Sequence, residues 1–306
     1  MSDSERGLII VGGGIAGMTA AIYAARAGLD LLLLEKAACG GVANSSCTVE
    51  NFPSYQAISG MELMQKIKSH VRSFGVAIEE LAEVEDVDLE SRLKTIATAD
   101  ARHAAKTLII ATGSAPNRLP IASGCDERVH YCALCDGPAY KGKDVAVVGG
   151  GNTGFDESLY LVGLGVRSVV LLECLETCGA AQAVQTRARS TGRIAVRTGC
   201  RVCAAVRENG RVRMTVEDVR TGSSGTVIVD GVFVYIGHRP NTAMLEGKLD
   251  LDPSGGIAAD AFMHTSRPGV FAAGDVIAKR YRQLTTAMAD GTIAALEAAR
   301  YVRECA

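Results

Sequence analysis

Two copies of one βαβ design, the second inserted into the domain that the first begins, make the α/β fold this sequence predicts. Three observations carry that expectation. Leu8–Glu35 (LIIVGGGIAGMTAAIYAARAGLDLLLLE) and Asp144–Glu173 (DVAVVGGGNTGFDESLYLVGLGVRSVVLLE) each read as an apolar strand, a glycine turn, a helix of about 12 residues and a second apolar strand ending in an acid. Both turns share the spacing G-x-G-x-x-G. Ala115-Pro116-Asn117 and Gly237-His238-Arg239-Pro240 each follow an apolar strand and carry Pro or Gly, as crossings between domains do. The expected partition is therefore 1–115 with 241–306 as one domain and 116–240 as the other, both Rossmann-like with three ββα layers.

The remaining elements fit around this frame. Gly60–Gly75 places Met64, Ile67, Val71 and Phe74 at helical spacing. Short alternating strands follow, and TLIIATG (Thr107–Gly113) reads as a buried strand running into a turn. Strands rich in Val and Thr follow the second copy, from Arg197 to Val229. The last quarter holds VFVYIGHRPNT, GVFAAGD and a helix from about Thr286 to Val302.

Length and composition bound the function. The 306 residues suggest two domains, and 48% apolar with 22% charged residues is globular composition. Thirty-two Lys and Arg against thirty-four Asp and Glu leave a net charge of −2, too little field to expect nucleic acid or a membrane as partner. The start of the chain lacks the apolar run of a secretory leader, and no apolar segment approaches the roughly 18 residues of a membrane span. A cytoplasmic location is expected, where ten cysteines do not make a structural disulfide framework.

The glycine turns carry the first chemistry. In Gly12-x-Gly14-x-x-Gly17 the first glycine permits a tight turn and the second lets a pyrophosphate approach the backbone. The third allows close packing of helix on strand, and the helix N-terminus supplies partial positive charge. Glu35, eighteen residues past the last glycine, is placed to accept from an adenosine ribose hydroxyl. Gly149, Gly151 and Gly154 repeat the pattern, with Asn152 and Thr153 inside it and Glu173 nineteen residues on. That second turn is either a second dinucleotide site or a duplicated fold whose site has decayed. Two fingerprints suit one cofactor that stays and one that visits.

Cys132-Ala-Leu-Cys135-Asp136-Gly137 carries the second chemistry. A helix starting here brings both sulfurs to one face, near enough for a disulfide, and its N-terminus favours the thiolate. Asp136 is suited to give or take the proton of that pair. Cys200-Arg-Val-Cys203 could supply half of a zinc site, but it lies in a strand-like stretch where positions three apart face opposite ways. No metal site is expected.

Together GGGIAG with Glu35, VENFP, ATGSAP, CALCDG, GGGNTG, GHRPNT and GVFAAGDV followed by YRQ resemble the low-molecular-weight, bacterial-type thioredoxin reductase family over nearly the whole chain. The resemblance implies an FAD-dependent pyridine-nucleotide-disulfide oxidoreductase with FAD on the first turn. It implies FAD binding by Ala16, Lys36, Gly41, Ala111 and Gly113, with Asn51 at the flavin ring and Gly274, Asp275, Arg282 and Gln283 at the ribityl and pyrophosphate portions. Electrons would pass from a donor through FAD to the Cys132–Cys135 disulfide and on to a thioredoxin-like protein. Cys135 would be the flavin-side sulfur and Cys132 the one attacking the partner. The resemblance further implies a homodimer and an inserted domain that swivels at its two crossings.

The sequence departs from the family where NADPH users carry His-Arg-Arg and a further Arg: Glu173-Cys174-Leu175 and Gly179 stand there instead. NADH, ferredoxin or a deazaflavin are therefore weighed beside NADPH as donors. Alternatives on the same scaffold are an FAD-dependent dithiol oxidase using oxygen, a ferredoxin-linked reductase and a flavin redox sensor. His130 and Tyr131 precede the active pair, and a structural role is expected of both; packing is expected of Cys39 and Cys47. Lys279-Arg280-Tyr281-Arg282 reads as a solvated basic edge apart from Arg282.

Overall fold

The computed structural model describes residues 5–119 and 125–304, so Cys305 lies outside the described residues. The chain forms two compact units. One holds the residues up to Asn44, Val49–Ala115 and Arg239 onward; the other holds Ser45–Thr48 and Pro116–His238.

The first unit opens with β1 (Arg6–Val11), α1 (Ile15–Arg26) and β2 (Leu31–Glu35). β1 and β2 pair in parallel, Leu8 opposite Leu31 through Val11 opposite Leu34, and all eight of these residues are buried. α2 (Gly60–Ser73) begins where the Ser59 hydroxyl accepts from the Glu62 N–H at 3.2 Å, and it buries Leu63, Met64 and Val71. Its C-terminus leads into β3 (Ala77–Glu80), parallel to β2. β4 (Val84–Asp88), β5 (Lys94–Thr98) and β6 (Arg102–Ile110) then run antiparallel to one another. β6 is long because its first half pairs with β5 while its second half lies parallel to β1.

The chain leaves through β7 (Ser114–Pro116) and enters the second unit at β8 (Val129–His130), the short helix α3 (Ala133–Asp136), β9 (Asp144–Val148), α4 (Asn152–Gly163) and β10 (Ser168–Leu172). α5 (Gln182–Ser190) and β11 (Ile194–Arg197) follow, then the antiparallel β12 (Cys200–Glu208), β13 (Arg211–Asp218) and β14 (Ser224–Val229), and β15 (Gly231–Val234). The parallel sheet runs in the order β11-β10-β9-β15-β8. Its central runs Val145–Val148, Val169–Leu172 and Val232–Val234 are apolar throughout because both faces are covered. Val145, Val147, Val169, Leu171 and Phe233 pack with Phe155 and Leu161 of α4 and Ala188 of α5. Ala146, Val148, Leu172, Val232 and Val234 pack with Ala205, Val212, Met214 and Val216 of the antiparallel sheet. This unit is thus helix, parallel sheet and antiparallel sheet, three layers.

The return passes through β16 (His238–Pro240), which pairs with β7 as a two-stranded ribbon. β17 (Val270–Ala272) then completes the first sheet parallel to β6, Val270 opposite Leu108, and α6 (Leu284–Glu304) closes the chain. α6 meets α1 through small residues: Gly291, Ala294, Ala295 and Ala298 are buried, and a Cβ on Gly291 would sit 2.2 Å from the Ala16 carbonyl oxygen. No helix among the described residues is long and apolar enough to cross a membrane.

Candidate active site

The carboxyl ends of the parallel strands in unit one gather the residues named for a dinucleotide, the edge where open α/β sheets bind ligands. Gly12 has φ +110°, and a Cβ there would strike the Ala111 carbonyl at 2.2 Å, so glycine is obligatory in this turn. A Cβ on Gly17 would lie 1.9 Å from the Gly12 oxygen, which locks α1 against the turn. Gly14 differs: a Cβ would meet nothing within 4 Å, leaving the open space a pyrophosphate needs. Gly41 abuts Gly14, Gly274 abuts Ala16, and Ala111 borders Gly12. Gly113 follows Ala111 with φ +64°, and its carbonyl accepts from the Asn241 N–H at 3.0 Å.

Glu35 ends β2 nearly buried, accepting from Gly13 N at 2.7 Å and Ala37 N at 2.9 Å. An ionised carboxylate has about four acceptor sites, so capacity remains for a ribose hydroxyl. Asn51 donates to Gln283 at 3.1 Å across 232 residues of sequence. The Arg282 Nε is buried without a hydrogen-bond partner, a donor suited to an anionic oxygen. Lys36 is exposed. These features fit FAD: an open glycine cradle, a carboxylate with spare acceptors and an unmatched guanidinium donor.

Lys279 overturns the solvated-edge expectation. Its side chain is 13% exposed and donates to Asp290 at 2.6 Å, with Asp275 at 3.8 Å, so it ties the Gly274–Asp275 turn to α6. Cys39 behaves as packing. Its sulfur lies against Gly13, and burial, reinforced by Glu80, pushes its thiol up to about 12, so it stays protonated.

The second unit repeats the first turn almost atom for atom. Gly149 has φ +116° with a Cβ position 2.1 Å from the Tyr235 carbonyl, Gly154 packs 2.0 Å from the Gly149 oxygen, and Gly151 is open. Glu173 accepts from Gly150 N at 2.5 Å and from Leu175 N at 2.9 Å. Asn152 accepts from Ala181 N at 2.8 Å, folding the 174–181 loop over the turn, and Thr153 is exposed at the head of α4. Cys174 and Leu175 are exposed beside Glu173. Burial first and Glu173 next raise the Cys174 and Cys178 thiols, with Arg201 opposing at Cys174 and Arg189 at Cys178. Positive charge therefore reaches this edge from β12 and α5 rather than from the strand end.

The cysteine pair sits at the head of α3. Cys132 and Cys135 are joined as a disulfide with Cα atoms 5.4 Å apart, and the Cys132 sulfur accepts from the Cys135 N–H at 3.2 Å. Sequence spacing alone did not disclose what holds this four-residue helix. The Ala133 N–H donates to the Tyr235 hydroxyl at 3.1 Å, so the end of β15 anchors the backbone between the sulfurs. Asp136 Oδ2 lies 3.3 Å from His130 Nδ1, and His130 Nε2 lies 2.7 Å from the Tyr140 hydroxyl. His130 is thus the neighbour of the acid beside the disulfide, a placement its position before the motif did not reveal.

Glu157 is a second group that sequence reasoning passed over. It is 5% exposed on the buried face of α4, and burial raises its carboxyl to about 7. The Cys47 thiol donates to it at 3.3 Å. An acid on a face otherwise made of Gly154, Phe155, Ser158 and Leu161 was the available signal. Cys200 and Cys203 stay free thiols, Cys203 at a break in the β12–β13 register and bonded to Glu217 at 3.3 Å. No cluster of three or more metal-ligating side chains occurs among the described residues.

Two dinucleotide folds with a closed C-x-x-C disulfide in the second define a flavoprotein disulfide reductase. Residues 6–291 match the model of the pyridine nucleotide-disulphide oxidoreductase family. The chain is 39% identical over 305 residues to a 34.2 kDa protein in the rubredoxin operon of Clostridium pasteurianum, covering 98% of each. It is 38% identical to the thioredoxin reductase of Streptomyces coelicolor, over 97% of this chain and 94% of that one. The crystal structure of Lactococcus lactis thioredoxin reductase superposes with a TM-score of 0.94 at 34% identity, covering 98% of this chain and 100% of that one. The chain belongs to the low-molecular-weight, bacterial-type thioredoxin reductase family.

Proposed function

We propose that this FAD-dependent enzyme takes electrons from a reduced nicotinamide dinucleotide, NADH in preference to NADPH, and delivers them through Cys132–Cys135 to the disulfide of a thioredoxin-like protein. The observation that carries this reading is the closed disulfide at the head of α3 with Asp136 at its side. FAD would be held by Gly12, Gly14, Gly17, Glu35, Asn51, Gly274, Asp275, Arg282 and Gln283, and when bound it supplies the two-electron carrier between donor and disulfide. Gly149, Gly151 and Glu173 would hold the visiting dinucleotide.

The residues of the chain then perform thiol–disulfide exchange. In the reduced enzyme the Cys132 thiolate, favoured by the Cys135 N–H, attacks one sulfur of the partner's disulfide. That bond breaks, and the departing partner thiolate takes up a proton from water. Asp136 accepts the proton of the Cys135 thiol, whose sulfur attacks Cys132 in the mixed disulfide. The second partner thiolate leaves and receives the proton from Asp136. The partner gains two electrons and one proton from the cysteine pair and a second proton from water, and the Cys132–Cys135 bond reforms.

Anaerobic reduction of the bound flavin by NADH, NADPH and reduced ferredoxin, followed by addition of a bacterial thioredoxin in its disulfide form, tests the proposal. Reduction by NADH and reoxidation by thioredoxin are expected. Reduction by ferredoxin alone would remove the nicotinamide from the reading. Rapid reoxidation by oxygen with a small dithiol as donor, and none by thioredoxin, would make the protein a dithiol oxidase instead.

A further inference from the structure

His130 ends β8 opposite Phe233 of β15, and its ring packs 5.1 Å from Phe233 and 5.2 Å from Tyr140, centroid to centroid. Its side chain is 14% exposed, yet both nitrogens are engaged, Nδ1 with Asp136 Oδ2 and Nε2 with the Tyr140 hydroxyl. A carboxylate only accepts, so Nδ1 carries the proton; Nε2 is then bare and accepts from the Tyr140 O–H. We propose that His130 is a positioning residue that fixes the Asp136 carboxylate for proton exchange with the Cys132–Cys135 pair, its own tautomer set by Tyr140. This rests on the acid–base role given to Asp136 above.

The physical need for such a device is plain. The Asp136 side chain is 41% exposed on a four-residue helix, so nothing in its own element restrains its rotamer. One N–H on Oδ2 holds the group and leaves Oδ1 for the sulfur's proton, and loosening of that kind is costly in proton transfer. The charged and titratable groups facing the ring are Asp136 and Tyr140, with Arg128 acting from the preceding turn. Burial lowers the His130 pKa against the opposing pull of Asp136, so the imidazole is neutral at neutral pH. Burial likewise raises the Tyr140 phenol, which stays a donor. His130 therefore gives a hydrogen bond throughout the cycle and neither gains nor loses a proton.

The test is a double-mutant cycle on the reduced holoenzyme, followed by stopped flow with a bacterial thioredoxin disulfide. His130→Ala is expected to slow exchange roughly 10- to 100-fold, the loss of one hydrogen bond to a charged group, with KM for thioredoxin unchanged. His130→Asn, which retains an N–H near the Nδ1 position, is expected within about threefold of native. It also keeps the test standing if the alanine variant unfolds. In an Asp136→Asn background, removing His130 should cost nothing more. The pH profile of iodoacetamide alkylation of the reduced pair, which needs no turnover, should shift in the same direction in His130→Ala and in Asp136→Asn. A native rate for His130→Ala, or the same slowing with and without Asp136, overturns the proposal. A native rate for Asp136→Asn overturns the acid–base role itself, and the positioning role with it.

Discussion

Cys132 accepts the N–H of Cys135 onto its own sulfur within the closed disulfide, so the two members of the pair are tied by backbone as well as by sulfur. Cys132→Ser and Cys135→Ser are each expected to abolish thioredoxin reduction while the protein stays yellow, because the residues proposed to hold FAD all lie in unit one. Cys200→Ser and Cys203→Ser, on β12, should keep most of the activity; equal damage from Cys200→Ser in a folded protein would show that the active pair is misassigned. Glu157 makes a different prediction, in stability. Burial raises its carboxyl from the ordinary 4.5 to about 7, so its contribution to stability is present below about pH 4.5 and lost as the pH rises towards 7. Glu157→Gln should unfold at a higher temperature than native at pH 8, by the equivalent of about 3 kcal/mol, and at nearly the same temperature at pH 5. Equal midpoints at both pH values would mean the carboxyl is solvated.

Between elements, the contact of α1 with α6 tolerates no added atom. A methyl on Gly291 would lie 2.2 Å from the Ala16 carbonyl oxygen, a backbone atom that cannot swing aside. Alanine gains about 1 kcal/mol over glycine in a helix, but overpacking against backbone costs roughly 1–3 kcal/mol, so Gly291→Ala should lower the melting temperature. Gly163, the last residue of α4, has nothing within 4 Å of its added Cβ, and Gly163→Ala should raise it by the equivalent of up to about 1 kcal/mol. Calorimetry on the pair checks the argument, and a stabilised Gly291→Ala would show that the helices part easily. Of these elements α1 and α4 were readable as 12-residue helices from their glycine turns and apolar spacing. The grip of Tyr235 on α3 was not, since a single hydroxyl 102 residues away leaves no periodic trace.

For the whole enzyme, the donor is the open chemical choice. A 2′-phosphate needs positive charge where Glu173, Cys174 and Leu175 stand, and Glu173 is fixed there by two backbone N–H groups. Losing two charged hydrogen bonds weakens binding by roughly two orders of magnitude or more, whereas the same carboxylate can accept from the bare 2′-hydroxyl of NADH. Stopped-flow flavin reduction should therefore saturate at far lower NADH than NADPH. Fast reduction at micromolar NADPH would assign the phosphate to Arg189 and Arg201, the two arginines acting on this edge from α5 and β12. Replacing either with Ala would then abolish that preference.

What the sequence determined by itself was whatever is local and periodic. The two βαβ copies and their apolar strands follow from spacing. Gly12 and Gly149 follow from the steric privilege of glycine at positive φ. The disulfide was legible because its sulfurs are three residues apart at a helix start. Only the tertiary structure decided what stands around those motifs. Glu157 meets Cys47 across 110 residues, His130 reaches Asp136 because β8 and α3 turn back on one another, and Lys279 abandons solvent for Asp290 on α6. Side-chain partners chosen by packing between separate elements leave neither a period nor a spacing in the chain, and a residue's pKa depends on how deeply those partners bury it.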